Sequence, residues 1–415
     1  MRKKIVLITS SQLSLNPRLV KEADTLVDAG YDVEVIYQFW NIWGSDLDKQ
    51  LIAQKKWKAT RVGGDPLTEK FAYWRSRVVH KAAQRLIKLW GFRHNLAELA
   101  IGRCTGLLVD KAKSLKADVY IAHNLSAIPA AVIASRQNKA KCGFDAEDLH
   151  RYETSDDDTD QGVRLKSYIE AKYFPKVHYL TTSSPKIAQK YEEIFPSLSF
   201  TTLLNVFPKN KSQLVQIQQP PLKLFWFSQY VGLSRGIQDI IAALINLQDE
   251  RIEFHILGYL NQNVKDELDQ FVNQLHFTVA PNLIFHEPIA SDKLVKFAEK
   301  FDIGLATEPG FSINNDLALS NKIFTYVQAG LAILASDTSA QKDLLVKYPD
   351  MGAQYERGNA ASVSTILKNY INQPELLIKH KLQSATYANE ELNWEWESEK
   401  LLMILKKLLT TNESS

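Results

Sequence analysis

The chain has 415 residues, with 50 Lys and Arg set against 47 Asp and Glu, for a formal net charge of +3 at pH 7. So even a balance leaves no electrostatic footprint for a bulk polyanion, and the length exceeds what one hydrophobic core usually serves, which predicts two domains. The only cysteines, Cys104 and Cys142, supply neither a disulfide framework nor metal-ligand spacing, which fits a reducing cytoplasm.

Met1 to Lys4 is basic, but Ile5–Ile8 is too short for a signal-peptide core, and no uninterrupted apolar run reaches bilayer length. Ile5–Ile8 reads instead as a buried strand. The loop SSQLSLNPR leads into a helix over Pro17–Ala29, Gly30 stops it, and Tyr31–Tyr37 is the next strand. This β-α-β opening lacks the G-x-G-x-x-G that brings a backbone onto a dinucleotide, which argues against a hydride-transferring dehydrogenase. Arg18, in the first turn of the helix, either holds an anionic acceptor or is solvated.

Lys70–His94 carries Lys70, Arg75, Arg77, Lys81, Arg85, Lys88 and Arg93 with no acid, interleaved with aromatic and aliphatic residues. Two readings stand: an amphipathic helix lying on a membrane surface, or a helix packed on a sheet with a solvated basic face. Nothing in it matches a nucleic-acid module. Asp118–Ala122 reads as a strand that delivers His123 and Asn124 at its carboxyl end, with Pro129 opening a helix. Cys142–Glu147 is a further strand, bringing Asp145. The run Asp156, Asp157 and Asp158 is either a solvated loop or, with less support, part of a metal site. Tyr179–Thr182 is a strand, Ser184-Pro185 starts a helix, and Thr202–Phe207 closes this half.

Lys209–Pro221 is polar, Gln-rich and ends in Pro-Pro, so it reads as a linker. The alternation then restarts: strand Leu222–Phe227, loop SQYVGLSRG, helix Ile237–Leu247, strand Glu253–Leu257 with Gly258 at its edge. A helix over Val264–Leu275, strand Asn282–Phe285, His286 in the turn, and a helix over Ser291–Lys300 capped at Ser291 follow. In Asp302–Asp337, Ile303–Ala306 is a buried strand, a helix begins at Ser320 or Asn321 and ends at Gly330, and Ala332–Ala335 is another strand. The exposed amides at that helix start, with Lys322 beside them, suit a phosphate. The fold class expected is α/β: two doubly wound Rossmann-like parallel-sheet domains facing a cleft. Their expected extents are residues 1–207 and 222–385, with a linker at 208–221 and a helix at 386–415 crossing back to the first domain.

Several stretches resemble the GT-B glycosyltransferases, specifically the family 4-like, retaining, nucleotide-sugar-dependent enzymes. NPRLVKEADTLVDAGYDVEVI is similar to their first β-α-β unit, and DVYIAHNLSAIPAA resembles the segment around their donor-contacting histidine, which falls on His123. WFSQYVGLSRGIQDIIAAL resembles their phosphate loop, and LSNKIFTYVQAGLAILASD their donor-binding helix and strand. The resemblance covers most of the chain, with Lys49–Leu99 least matched. It implies that Gly232, Arg235 and Gly236 meet the donor diphosphate, with Arg235 in place of a lysine and Tyr230 in place of a second basic residue. Glu308 falls where the family's sugar-contacting glutamate lies. The second glutamate, which holds the ribose, falls on Thr325, at a longer spacing than the family pattern, with Asn314 or Asn315 as an alternative at the sugar.

The residues this reading assigns to the donor are Gly232, Arg235, Gly236, Gly258, His286, Glu308, Asn315, Asn321, Lys322 and Thr325, together with His123. Arg18, Asn124 and Asp145 fall to the acceptor. The implied activity is transfer of a sugar from a nucleotide-diphosphate donor to a glycan or lipid-linked acceptor with retention, in cell-surface polysaccharide or lipopolysaccharide synthesis. No metal or other cofactor and no nucleic-acid partner is expected. The expected location is the cytoplasm, with attachment to the inner face of its membrane if Lys70–His94 is the contact. Thr325 motivates the alternative of a non-catalytic GT-B partner subunit; a sugar-nucleotide epimerase would need a carboxylate pair that is not evident among Asp145, Glu147 and Glu308.

Overall fold

The structure is a computed structural model, and it describes residues 2–210, 220–249, 251–275 and 280–410. The chain divides into two compact units: one formed by Met1–Leu203 with Ser398–Ser415, the other by Leu204–Glu397. Most of the expected linker lies outside the described residues, and the division falls at Leu203, before the expected 207. The closing helix spans Trp394–Thr410, after a separate helix over Pro374–Glu390, and the division runs through it.

The first unit holds β1 (Lys4–Thr9), β2 (Asp32–Gln38), β3 (Lys58–Val62), β4 (Val119–His123), β5 (Lys141–Ala146), β6 (Tyr179–Thr182) and β7 (Phe200–Thr202). All pair in parallel, in the order β3-β2-β1-β4-β5-β6-β7. The strand order reverses between β1 and β4, and the crevice beyond the carboxyl ends of two such strands is where open parallel sheets take ligands. Ile5, Leu7, Val119 and Ile121 pack with Leu26 and Val35, and Leu401 and Leu405 of the closing helix complete this core. Local chemistry sets the helix starts: Asn16 accepts from the Leu19 amide ahead of Pro17, and Ser184 accepts from the Lys186 amide ahead of Pro185. The last strand of this unit, β7, covers Phe200–Thr202 and so ends where the segment expected to close this half, Thr202–Phe207, begins.

The second unit holds β8 (Leu222–Tyr230), β9 (Ile252–Tyr259), β10 (Asn282–His286), β11 (Ile303–Ala306), β12 (Ala332–Ser336) and β13 (Gly352–Tyr355), all parallel in the order β10-β9-β8-β11-β12-β13. Its reversal lies between β8 and β11. Strand alternation sorts the two faces: Phe225 joins Tyr326, Ile333 and Phe301 on one side, while Leu224 and Trp226 join Ile240, Leu334 and Leu367 on the other. Both faces are buried, which is why these strands read as continuous apolar runs. The helix over Ser291–Ala298 is capped at Ala290 with no side-chain bond, so the expected cap at Ser291 does not form.

Candidate functional site

In the second unit the loops leaving β8 and β11 meet at the sheet's reversal point. Gly236 sits at φ +78°, ahead of the helix Ile237–Leu247, and a Cβ there would lie 2.3 Å from the Thr307 carbonyl oxygen. Only glycine accepts both the left-handed backbone and that approach. The Thr307 hydroxyl donates to the Arg235 carbonyl at 2.8 Å, which ties the two loops together. Arg235 is exposed and, among the described residues, forms no ion pair, so its guanidinium is available beside a helix start. Gly232 has extended backbone at φ −177° that any residue adopts, so its place in the turn does not require glycine.

One residue past Thr307, Glu308 meets the second loop. Its Oε1 lies 2.7 Å from Lys322 Nζ, and its Oε2 lies 3.5 Å from Asn315 Nδ2. Asn315 Oδ1, of its side-chain amide, accepts from the Gly310 amide at 2.6 Å, and Ser336 Oγ donates to the Glu308 backbone carbonyl at 2.7 Å. Burial alone would raise the Glu308 pKa, but the charge and hydrogen bonds of Lys322, Ser320 and Asn315 outweigh it and hold the carboxylate below its ordinary range. Ser320 caps the helix Asn321–Gln328, accepting from the Lys322 amide, and Gly330 at φ +68° follows its end. Asn321 is the exposed first residue of that helix. The result is a carboxylate, an ammonium, a guanidinium and two helix N-termini brought together by two loops, a constellation suited to a diphosphate with a polyol attached.

Three residues expected at the donor are engaged within the protein. Thr325 is fully buried, and its hydroxyl bonds back to the Asn321 carbonyl of its own helix at 3.3 Å, so it does not reach a ribose. His286 stacks on His255, with 2.9 Å between ring nitrogens, and packs edge-on against Phe297, apart from the Glu308 cluster. Gly258 packs tightly on the Ser228 carbonyl, a backbone role that explains the glycine without a ligand.

In the first unit, Arg18, His123 and Asp145 come together, but in the interior. Arg18 is 2% exposed and donates to both Asp145 oxygens, at 2.5 and 3.0 Å, and to the Leu203 carbonyl at 2.9 Å. It is buried and paired with Asp145 inside the protein, which corrects the expectation of a side chain that holds an acceptor anion. His123 is 1% exposed, with Nε2 3.0 Å from Glu22 and Nδ1 3.4 Å from Asp145. Burial disfavours its charged form, but the two carboxylates more than compensate and raise its pKa to about 10. Both of its ring nitrogens face carboxylates, so the donor-sugar contact expected of His123 does not follow from this geometry. Burial likewise opposes ionisation of Asp145, and Arg18 and His123 overcome it, holding the carboxylate well below its usual range. Glu22, His123 and Asp145 present ligand atoms within 4.8 Å of one another. A cation there would have to displace the Arg18 guanidinium and compete with a protonated imidazole, so these residues fit an internal ion network better than a metal. Asp157, Asp158 and Asp160 bond to Thr159, to Tyr152 and to the amides opening a helix, respectively.

Glu22 was not anticipated, because its partner His123 is distant in sequence and no local spacing signals that contact. Thr307 carried no sequence signal. Asn124 stands at the open end of β4 in a strained backbone, φ +67° and ψ 142°, with Oδ1 accepting from the Thr9 hydroxyl at 2.7 Å.

Two Rossmann-like units with parallel sheets of seven and six strands are the architecture of the GT-B fold, the fold of the glycosyltransferases among the similar solved structures. Among solved structures, the chain is similar to HepE from Anabaena in complex with UDP and glucose, with 13% identity, 98% of this chain and 100% of that one covered, and a TM-score of 0.68. It is similar also to sucrose-phosphate synthase from Thermosynechococcus elongatus (11% identity, 99% and 100% covered, TM-score 0.67). A third is a mutant S. aureus TarM in complex with Fondaparinux, alpha-GlcNAc-glycerol and UDP (14% identity, 97% and 99% covered, TM-score 0.67). No family model and no curated protein matches the sequence. The likeness is therefore one of fold.

Proposed function

We propose that the protein is a retaining, family 4-like glycosyltransferase that moves a hexosyl group from a nucleotide-diphosphate sugar to a glycan or lipid-linked acceptor in surface polysaccharide synthesis. The observation that carries this reading is the junction of Thr307 with Arg235, which sets a free guanidinium and the Glu308–Lys322 pair at the reversal point of the second sheet. The bond from the sugar's anomeric carbon to the β-phosphate oxygen breaks while the acceptor oxygen bonds to that carbon on the same face. The departing phosphate takes the acceptor's hydroxyl proton. Negative charge gathers on the diphosphate, where Arg235, Lys322 and the amides that open at Gly236 and Asn321 favour it. Glu308, ionised and aimed by Lys322 and Asn315, accepts hydrogen bonds from sugar hydroxyls. Because Thr325 is buried, the ribose rests on other groups. HepE and TarM were solved with UDP, so UDP-sugars are the first donors to test.

The test is a melting-temperature screen of nucleotide diphosphates and their sugars. A ligand bound only by the native state at a hundred times its Kd adds about 2.7 kcal/mol of stability. Stabilisation by one nucleotide series that Arg235→Ala removes supports the donor site. A second reading, a GT-B subunit that has lost its donor, is favoured by the buried Thr325 and leads if no nucleotide stabilises the protein.

A further inference from the structure

A cavity of about 620 Å³ opens at the reversal point of the first sheet, lined from Ser10 and Ser11 after β1, Trp40 after β2 and Asn124 after β4, and roofed by the helix Lys70–Trp90. Tyr73, Arg77, His80, Lys81 and Gln84 of that helix, at the spacing of one helical face, all line it. Arg103 lines it from across, donating to the Phe39 and Gly63 carbonyls and to Ser76 while its guanidinium lies 5.0 Å from the Tyr73 ring. Arg77 donates to the Tyr73 hydroxyl at 2.8 Å. None of the lining residues is acidic, and Arg77, Lys81 and Arg103 pair with no carboxylate among the described residues. Three cations around one cavity repel one another unless an anion joins them.

The same helix has a second unusual face. Its buried positions are Ser76, Ala83 and Ile87, while Phe71, Trp74, Val78 and Leu89 share the opposite face and point outward, Phe71 at 83% and Leu89 at 77% exposure. Amphipathic packing would normally turn such residues inward. An apolar stripe beside a cationic cavity complements an amphiphile with an anionic head.

We infer that this cavity is the acceptor subsite and that it takes the phosphate headgroup of a lipid-linked acceptor, with Arg77 and Lys81 at the phosphate, the charge of Arg103, itself tied to the protein, behind them, and the outward stripe in the apolar layer. The acceptor role rests on the transferase reading above; the phosphate-lipid specificity rests on the cavity and the stripe.

The test uses the full chain and three probes: phosphatidylcholine vesicles, the same vesicles with phosphatidic acid, and soluble glycerol 3-phosphate. The native protein is expected to sediment with the phosphatidic acid vesicles and to bind glycerol 3-phosphate far more weakly. Two lost charged contacts to the phosphate predict at least about a hundred-fold weaker affinity for those vesicles in Arg77→Gln/Lys81→Gln. The charge-matched control Lys88→Gln/Arg93→Gln, outside the cavity, is expected to lose much less. Equal losses in both pairs would mean a diffuse basic field and overturn the subsite, as would native-like binding by the Arg77/Lys81 pair. Equally tight binding of glycerol 3-phosphate would make the ligand a soluble phosphate ester and overturn the lipid assignment. Nucleotide-induced stabilisation, measured on the same variants, separates the two readings. Its persistence alongside a failed vesicle assay sinks the subsite alone, and its absence alongside a successful one sinks the transferase reading alone.

Discussion

Replacing Asp145 by Asn tests whether the interior charges of the first unit hold it together. Arg18 and His123 face Asp145 and Glu22, Glu147 adds a third carboxyl group close to Arg18, and Asp145 also accepts from Thr181 at 2.8 Å. Asn keeps the shape but removes one charge and turns an amide nitrogen towards donors. Unit charges about 3 Å apart interact by about 5 kcal/mol at an effective dielectric of about 20, and breaking one partner of a buried pair typically costs about 3–5 kcal/mol. A loss of about 4 kcal/mol is therefore expected for Asp145→Asn. Two units need not melt together, so the assay is native-state hydrogen exchange, read on the amides of β1, β4 and β5 in the first unit and of β8 and β11 in the second. Protection is expected to fall in the first set and hold in the second. The double change Arg18→Met/Asp145→Leu, which removes the pair together, is expected to recover part of the loss. A change below about 1 kcal/mol in the first set would refute the idea that this network carries stability.

Other outcomes follow from the same geometry. The raised His123 pKa contributes stability that is full below its unfolded value of about 6.5 and is lost as pH rises towards about 10. Burial pulls the nearby Lys21 down to about 7, an effect of opposite sign over part of that window, so the quantity to measure is the difference between native and His123→Asn melting curves, which should narrow from pH 6 to pH 10. Gly236→Ala drives a Cβ into the Thr307 carbonyl at a positive φ and is expected to cost about 1–3 kcal/mol and to weaken nucleotide binding, by denaturant titration and calorimetry. Lys322→Met leaves Glu308 buried without its cation; its pKa should rise, detectable by carboxylate NMR, and nucleotide affinity should fall at least about ten-fold, the scale of one charged hydrogen bond.

What the sequence disclosed depended on where its signals came from. Tyr179–Thr182, Ile303–Ala306 and Ile237–Leu247 were readable to their ends, since strands covered on both faces and a helix following a turn glycine leave strong local patterns. The helix Ile42–Ala53 escaped because Ile42, Trp43 and Leu47 face outward, which inverts the usual amphipathic cue. β3, KATRV, lies at a sheet edge and lacks an apolar run. At the site, the pairing of Glu308 with Lys322 joins two motifs already marked by resemblance. The burial of Arg18 against Asp145 depends on a contact 127 positions apart in sequence, and no local pattern encodes that.

The first unit takes its final core residues, Leu401 and Leu405, from the far end of the chain. On a ribosome adding about 5–20 residues per second, the whole of Leu204–Glu397 emerges first, a delay of roughly ten to forty seconds. Throughout that interval the apolar seat formed by Ile5, Leu19 and Val35 waits without its cover, open to chaperones and to other nascent chains. Of the two units, the one begun second is thus the first able to finish. Premature termination between Glu397 and Leu401 would release a protein whose opening half had never closed.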